Sequence, residues 1–240
     1  MTEKRFKRTE MIIGADIVKK LESAKMLIAG LGGVGGYVAE MLARTGVGKL
    51  VIIDSDVIDI TNINRQIIAL ENTVGKSKTE LFTKRLQQIN PNIEIDAKKI
   101  YLKDELISEV LNNKYDFVVD AIDTLAPKIH FIKTAIEMKH KLISSMGAGA
   151  KLDPSKVKIA DISKSYNDNL ARILRKRLHR FGIYNGFKVV FSTEQVIKKS
   201  IVETEGEENK KSKIGSISYM PAIFGIYIAS EIIKEIISGN

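Results

Sequence analysis

The chain has 240 residues, of which 44% are hydrophobic, and it contains no cysteine. This length and composition suit one large α/β domain. The missing cysteine excludes a disulfide framework, a cysteine-ligated zinc site and any thioester or persulfide formed on this chain. The formal net charge of +9 favours an anionic partner, although basic chains also arise for reasons of solubility.

The first predicted elements form a nucleotide-binding unit. An apolar strand over residues 25–29 leads into a glycine-rich turn over 30–35 and a helical pattern, and a second buried strand over 49–53 ends at Asp54. Strand, glycine turn, helix and a strand ending in an acid make up the dinucleotide-type βαβ fingerprint. A GxGxxG sequence alone is a weak signal, but in this context it predicts nucleotide binding.

Each glycine of the turn has a predicted steric role. Gly30 permits a tight turn, Gly32 lets phosphate approach the backbone, and Gly35 lets the helix pack closely on the strand. The helix then directs its N–H groups and the positive end of its dipole at the phosphates. Asp54 is placed to accept hydrogen bonds from ribose hydroxyls.

Helices and strands continue to alternate further along the chain. We predict helices over 76–89 and 106–112, and strands over 93–100, 117–119 and 141–144. This alternation implies an α/β fold of the Rossmann-like, doubly wound type, with a mostly parallel sheet. Ligands of such folds bind at the carboxyl ends of the strands.

The pattern is less regular in the second half, so we predict a nucleotide-binding core over 1–150 and a C-terminal extension over 151–240 within a single domain. The acidic and lysine-rich segment 203–213 predicts an exposed loop. Helical spacing over 170–178 carries a basic stretch of Arg172, Arg175, Lys176, Arg177, His179 and Arg180. This stretch is either a phosphate-binding surface or an ordinary solvated helix face.

The end of the chain predicts a buried or half-buried helix and no stable membrane insertion. The longest uncharged run, 214–230, contains Pro221 and falls short of the roughly 20 apolar residues of a spanning helix. At the other end, the apolar run 11–13 is too short for a secretory signal, so we expect the cytoplasm.

The residues after Asp54 favour nucleotidyl transfer over hydride transfer. Asn62, Arg65 and Gln66 follow it closely, and Lys78 comes a short distance later. Two cations near a phosphate site are more than a nicotinamide cofactor needs. They suit ATP, because they neutralise the charge that builds up as pyrophosphate leaves.

Asp123 lies just past the strand that closes at Asp120, and it is the predicted metal ligand. One carboxylate together with phosphate oxygens is a coordination that Mg²⁺ favours. For each of these charged residues the alternative is a surface salt bridge. A whole set of them around one strand edge makes that alternative weaker.

The order of these motifs resembles the superfamily of ThiF-type enzymes, which activate ubiquitin-like and sulfur-carrier proteins by adenylating a carboxylate. The matching segments are Gly30, Gly32, Gly33 and Gly35 of the turn, Asp54, residues 62–66, residues 75–78 and residues 120–123. The resemblance implies that Asp54 binds ribose, that Arg65 and Lys78 bind the triphosphate, and that Asp123 binds magnesium. Arg8 matches, more loosely, an arginine that a partner subunit projects into the ATP site, which implies a homodimer.

The second half is similar to one branch of that superfamily, the tRNA threonylcarbamoyladenosine dehydratases. The matching segments are 147–149, 153–154, 159–162, 174–178 and 191–194. This likeness implies that the threonylcarbamoyl carboxylate on a tRNA adenosine beside the anticodon is adenylated with ATP. The neighbouring carbamoyl nitrogen then attacks, AMP leaves and a ring closes. The extension would bind tRNA and form the dimer.

Two other interpretations stay open. One is an activating enzyme for the C-terminal carboxylate of a ubiquitin-like or sulfur-carrier protein, without thiol transfer. The other is an NAD-binding or non-enzymatic Rossmann module. Some dehydratases have a cysteine in the segment that matches 214–224, where this chain has none, so a thiol there is dispensable or the activity is altered. A monovalent cation and a sulfur-transfer-type helper protein are also left open.

Overall fold

A seven-stranded sheet forms the centre of the computed structural model, which describes residues 3–203 and 212–239. Its strands are β1 Lys25–Ala29, β2 Lys49–Ile53, β3 Glu94–Lys98, β4 Phe117–Asp120, β5 Leu142–Ser145, β6 Val157–Asp161 and β7 Lys188–Ser192. They are ordered β3-β2-β1-β4-β5-β7-β6, and β6 alone in this sheet runs antiparallel to its neighbour. The predicted doubly wound, mostly parallel sheet is confirmed.

Helices cover both faces of this sheet. They are α1 Lys7–Ile13, α2 Ala15–Ser23, α3 Gly35–Thr45, α4 Lys78–Ile89, α5 Glu105–Leu111, α6 Leu125–Glu137, α7 Asn169–Leu178 and α8 Tyr219–Ser238. Residues of α3, α4 and α8 share one hydrophobic cluster, and residues of α5, α6 and α7 share the other. The sheet therefore lies between two helical layers.

Strand β1 shows why both faces are covered. Met26 and Ile28 belong to the cluster with α3, α4 and α8, whereas Leu27 and Ala29 belong to the cluster with α5, α6 and α7. All four side chains are fully buried. Successive side chains of a strand point to opposite faces, so a run of apolar residues such as 26–29 needs helices on both sides.

The prediction of an exposed loop over 203–213 is wrong at both ends of this segment, where the chain forms short strands. Ile201–Glu203 forms β8 and pairs antiparallel with β9, Ser212–Ile214. β-branched residues on both sides, among them Val202 and Ile214, favour the extended conformation that the charge pattern obscured. Residues 204–211 of this prediction lie outside the described residues.

The C-terminal helix is buried as predicted. Met220, Phe224, Ile228 and Ile232 of α8 are fully buried in the same cluster as α3. Apolar residues spaced three or four apart place one stripe of this helix against the sheet. Across the described ranges 3–203 and 212–239, no helix is long and apolar enough to cross a membrane.

Candidate active site

The glycine-rich turn lies where β1 ends, at the carboxyl edge of the sheet. Gly30 has a φ of +91°, and a Cβ at this position would lie 2.6 Å from the carbonyl oxygen of Ala121. A Cβ at Gly35 would lie 1.8 Å from the carbonyl oxygen of Gly30. Both positions therefore require glycine, the first for the turn and the second for the contact of α3 with β1.

The other two glycines differ in what they face. The nearest heavy atom to a Cβ on Gly32 would be Nε2 of Gln66 at 3.9 Å, so this position is open to a ligand. A Cβ on Gly33 would lie 2.9 Å from Cβ of Pro221 and 3.4 Å from Cγ of Arg65. The turn, the arginine and the start of α8 thus meet at one edge of the sheet.

Two buried oxygens at this edge have no hydrogen-bond partner within the described part of the chain: Oε1 of Gln66 and Oγ of Ser216. The backbone oxygen of Ser216 accepts a hydrogen bond from Nδ2 of Asn64 at 3.0 Å, which ties this residue to the same segment as Gln66. Buried polar atoms are almost always paired in folded proteins. The two oxygens therefore mark a place that suits a polar ligand.

Asp54 and Lys78 form a second part of the site. Oδ2 of Asp54 accepts from the backbone N–H of Leu31 at 2.7 Å, and Oδ1 accepts from that of Asp56 at 2.8 Å. The Lys78 ammonium lies 3.6 Å from Oδ1 of Asp54 and 2.7 Å from Oδ2 of Asp56. Burial raises the pKa of Asp54. The Lys78 ammonium and the two N–H groups act in the opposite direction, but their effect is smaller, so the pKa is raised overall.

The loop that carries Asp123 is held by a buried ion pair. Nζ of Lys128 lies 2.7 Å from Oδ2 of Asp120, and these side chains are 1% and 0% exposed. The same ammonium donates to the carbonyl oxygen of Ile122 at 3.2 Å, and Oγ of Ser144 donates to Oδ2 of Asp120 at 2.5 Å. Asp123 itself is exposed just before α6.

A metal at Asp123 would depend on ligands from outside the protein. Within residues 3–203 and 212–239, no three His, Cys, Asp or Glu side chains are grouped closely enough to hold a metal. Mg²⁺ bound through one carboxylate and the phosphates of a nucleotide needs no such group. The exposed Asp123 fits that coordination, and its role stays a prediction.

Arg65 and Asn62 also lie at this edge, where their side chains make local contacts. Nη1 of Arg65 donates to the carbonyl oxygen of Thr61 at 2.9 Å and to Oδ1 of Asn64 at 2.9 Å. Oδ1 of Asn62 accepts from the backbone N–H of Asp59 at 3.2 Å and so caps a short helical turn. Their roles in nucleotide binding stay predictions.

Arg8 does not join the site of its own chain. The preceding Phe6 lies 3.5 Å from where a Cβ of Gly46 would be, and Arg5 donates to the carbonyl oxygen of Ile89 at 2.9 Å. Gly46 and Ile89 both come just before strands, at the amino edge of the sheet. The exposed Arg8 begins α1 there, opposite the glycine turn.

A second buried ion pair lies beyond β5. Nζ of Lys151 is 2.8 Å from Oδ2 of Asp168, and the two side chains are 1% and 2% exposed. The ammonium also donates to the carbonyl oxygen of Ser192 at 3.3 Å, and Asp168 caps α7 by accepting from the N–H of Ala171 at 3.0 Å. The pair joins loop 147–151, the end of β7 and the start of the basic helix.

The sequence analysis missed four residues in these two clusters: Lys128, Ser144, Lys151 and Asp168. Lys128 falls among apolar residues of α6, and Lys151 follows a glycine-rich segment, which were the available signals. A lysine is almost never fully buried unless it is paired. Only the fold brings the pairing carboxylates to them.

The basic stretch 172–180 is divided between two roles. Nη1 of Arg175 donates to the carbonyl oxygen of Ser165 at 2.8 Å, and the side chain is half-buried. The remaining members are exposed: Arg172, Lys176, Arg177, His179 and Arg180. Arg175 therefore holds α7 in place, and the exposed arginines and lysine present positive charge to solvent.

The fold and the site define an α/β nucleotide-binding protein whose glycine turn, acid and cations meet at the carboxyl edge of the sheet. The chain belongs to the ThiF family, whose model matches residues 6–240. It is 37% identical to the tRNA threonylcarbamoyladenosine dehydratase of Bacillus subtilis, over 97% of this chain and 94% of that protein.

A solved structure gives the same result. The crystal structure of the Escherichia coli tRNA N6-threonylcarbamoyladenosine dehydratase in complex with ATP matches with a TM-score of 0.90 and 32% identity, over 98% of this chain and 94% of that chain. The molybdopterin-synthase adenylyltransferase of Haemophilus influenzae is 31% identical, over 63% of this chain and 65% of that protein. The resemblance inferred from the motifs is confirmed.

Proposed function

We propose that this protein is an ATP-dependent tRNA threonylcarbamoyladenosine dehydratase. It adenylates the carboxylate of the threonylcarbamoyl group, and the product cyclises with release of AMP. The observation that carries the proposal is the meeting of the glycine turn, Arg65, Lys78 and the Asp123 loop at one edge of the sheet. Similarity along 97% of the chain to a dehydratase supports the choice of substrate.

ATP binds at the glycine turn. The open side of Gly32 admits the phosphates, and the amino end of α3 directs N–H groups toward them. The orphaned Oε1 of Gln66 beside that position gains a hydrogen-bond partner when the nucleotide or its water shell is bound. Solved structures of the Escherichia coli dehydratase contain ATP and AMP, which agrees with this arrangement.

Positive charge drives the activation step. The Lys78 side chain is 6% exposed, and its ammonium is held by the buried Asp54 and the exposed Asp56. A phosphate oxygen can take the place of Asp56, so the ammonium is ready to stabilise the charge of departing pyrophosphate. Arg65 acts in the same way from the other side of the turn, and Asp123 binds Mg²⁺.

Ring closure needs no nucleophile from the enzyme. The carbamoyl nitrogen that attacks belongs to the same nucleoside as the activated carboxylate, so the reaction is intramolecular and gains from orientation. The lack of cysteine in this chain is consistent with that chemistry. The protein has to bind the modified nucleoside, activate it and keep water from the acyl adenylate.

A homodimer completes the site. Arg8 lies at the opposite edge of its own chain, so a partner chain has to supply this arginine to the ATP site. Met11 and Ile12 on the same helix are 81% and 83% exposed, and their burial would favour association. The C-terminal extension 151–240 presents basic residues for tRNA, and the cytoplasm is the compartment that this substrate implies.

The second candidate is an enzyme that activates the C-terminal carboxylate of a small protein. Identity of 31% with a molybdopterin-synthase adenylyltransferase favours it, but that match covers only 63% of the chain. The nucleotide site would be the same in both functions. The difference lies in whether RNA or a protein tail is the acyl donor.

The two candidates differ in what triggers adenylation. Purified protein is incubated with ATP and Mg²⁺, and the release of pyrophosphate and of AMP is measured without an acyl substrate, with tRNA that bears threonylcarbamoyladenosine, and with a small protein that ends in Gly-Gly. The proposal predicts pyrophosphate and AMP only with the modified tRNA, and the same tRNA without the modification is the control. Pyrophosphate release that depends on the Gly-Gly protein would contradict it and establish the second candidate, whose adenylate keeps its AMP until a nucleophile displaces it.

A further inference from the structure

Exposed aromatic side chains follow the basic helix α7. Phe181 and Tyr184 are 52% and 58% exposed, and His179 beside them is exposed as well. A single exposed apolar residue needs no explanation. Here the three rings lie within six residues of one another, directly after Arg177 and beside Arg180.

We call the three exposed side chains His179, Phe181 and Tyr184 the aromatic shelf. The centroids of His179 and Tyr184 are 4.8 Å apart and their planes are 40° from parallel. The Lys133 ammonium from α6 lies 5.3 Å from the centroid of Phe181. The shelf thus presents π-surfaces next to cations.

The backbone that carries the shelf is held in place. The N–H of Gly186 donates to Oδ2 of Asp161 at 2.8 Å, the N–H of Ile183 donates to the carbonyl oxygen of Leu178 at 3.2 Å, and the Gly182 φ of +75° allows the turn between them. Burial acts to raise the pKa of Asp161, but hydrogen bonds from Ser163 and Gly186 lower it overall. Rigid aromatic side chains lose little conformational entropy on binding.

Unpaired nucleotides fit such a surface. Proteins bind single-stranded RNA by stacking its bases on aromatic rings while lysine and arginine neutralise the backbone. A paired RNA stem keeps its bases stacked on each other and offers few free faces. The chemistry of the shelf therefore favours a loop or a splayed strand over a duplex.

The position of the shelf indicates which nucleotides it contacts. The amino end of α7 touches the glycine-rich loop after β5 through Asp168, and the shelf lies at the other end of the helix. Ten helical residues span about 15 Å. The shelf therefore lies about 15 Å from that loop, near Asp161 and the start of β7, so a base on it is not adjacent to the reacting nucleoside but farther along the strand.

We propose that the aromatic shelf binds unpaired bases of the tRNA anticodon loop by stacking, while Arg177 and Arg180 contact the adjoining phosphates. This rests on the proposed function, since it takes the modified tRNA as substrate. The shelf adds affinity and orients the strand. It takes no part in activating the carboxylate.

The test measures binding of an anticodon stem-loop RNA that bears threonylcarbamoyladenosine, as a function of salt. Phe181→Leu and Tyr184→Leu keep apolar side chains but remove the rings. Each is expected to weaken binding roughly fivefold to 150-fold without changing the salt dependence, because stacking is worth about 1–3 kcal/mol per base. Arg177→Gln is the matched electrostatic variant, and it should make the negative slope of log affinity against log salt shallower by about 0.7.

Rescue and spectroscopy separate stacking from a general loss of structure. Phe181→Tyr and Tyr184→Phe keep the ring and should retain wild-type affinity. A 2-aminopurine placed in the loop of the RNA should change its fluorescence with wild-type protein, and less so with the leucine variants. ATP-binding affinity should be equal in all of these proteins, since the shelf lies away from the glycine turn.

The outcomes are distinguishable. Leucine variants that bind the stem-loop as tightly as wild type would overturn the shelf alone and leave the dehydratase function intact. Wild-type protein that neither binds this RNA nor forms AMP with it would overturn both. Leucine variants that lose dimerisation but keep RNA affinity would assign the rings to a protein contact and overturn the shelf.

Discussion

Arg65 and Lys78 supply positive charge at the edge where β1 and β2 end. Lys78 is almost fully buried, yet Asp54 and Asp56 keep its ammonium directed toward the site. The Cγ of Arg65 lies beside Gly33, and its guanidinium is held by Thr61 and Asn64. Charges fixed in this way need little reorganisation when pyrophosphate departs, which is the condition for efficient electrostatic catalysis.

Removal of either cation should therefore slow activation. Arg65→Ala and Lys78→Ala are each expected to reduce the rate of AMP formation roughly a hundredfold to a thousandfold, the usual effect of losing one transition-state donor. Lys76→Ala is the matched control, because Lys76 is exposed and close to Lys78 in sequence. Near-normal rates in the first two variants would contradict their assignment.

Lys128 does not face the site directly but holds the loop that carries Asp123. Its ammonium neutralises the fully buried Asp120 and binds the carbonyl oxygen of Ile122, next to Asp123. Lys128→Met leaves the carboxylate unpaired, so we expect the free energy of unfolding in urea to fall by about 3–5 kcal/mol.

A second substitution tests the cause of that loss. Adding Asp120→Asn to Lys128→Met removes the unpaired charge. The Oδ1 of asparagine still accepts from the N–H of Ile122, and its Nδ2 can donate to the Ser144 hydroxyl, which is a donor to the carboxylate in the wild type. The double variant should regain part of the lost stability. If both proteins were equally destabilised, the buried charge would not be the reason.

At the level of elements, the Lys151–Asp168 pair links the helix that carries the basic face to the loop after β5. Arg175 adds a second attachment, from the middle of α7 to Ser165. The helix therefore cannot shift without affecting the loop. RNA bound along α7, as proposed above, would be held in a fixed relation to the carboxyl ends of the strands.

Asp168→Asn should uncouple RNA binding along α7 from activation of the carboxylate. Asparagine still caps α7, but it leaves the buried Lys151 without its carboxylate. We expect kcat for AMP formation with modified tRNA to fall while the Kd for ATP stays unchanged. The Kd for ATP is measured by titration and kcat by steady-state kinetics. Weaker ATP binding together with an equal fall in kcat would indicate a general structural role.

The limits of sequence prediction are also clearest for these elements. Strands such as β1 and β2 could be predicted because every residue after the first lysine is apolar, and a strand buried on both faces has few alternatives. The glycine turn was predictable for the same reason, since two of its glycines have no steric substitute. These features alone were enough to predict that a nucleotide binds at the carboxyl edge of the sheet.

The ion pairs could not be predicted in this way. Lys128 and Asp120 are eight positions apart, but Lys151 and Asp168 meet only through the packing of α7 against the sheet. A lysine in sequence has the same appearance whether it is solvated or buried. Arg175 illustrates this, because its neighbours on α7 are exposed and it is half-buried.

For the whole molecule, the two edges of the sheet have different roles. The carboxyl edge carries the proposed nucleotide site, and α1, with the exposed Arg8, Met11 and Ile12, lies at the amino edge. The proposed dimer would pair these surfaces and bring each arginine to the other chain. Symmetry would then give two equivalent sites, each built from both subunits.

Complementation tests this arrangement. Arg8→Ala and Asp123→Ala chains should each be inactive as homodimers. Mixed dimers combine an intact Asp123 from one chain with an intact Arg8 from the other, so activity should return after the chains are mixed and allowed to exchange. No recovery in dimers shown to be mixed would argue against a shared site.

The most direct test of the account is the mass of the nucleoside itself. Modified tRNA is incubated with the protein, ATP and Mg²⁺, digested to nucleosides and analysed by mass spectrometry. The account predicts that threonylcarbamoyladenosine loses the mass of one water molecule and that one AMP forms for each nucleoside converted. A nucleoside of unchanged mass beside an active ATP site would contradict the dehydratase function.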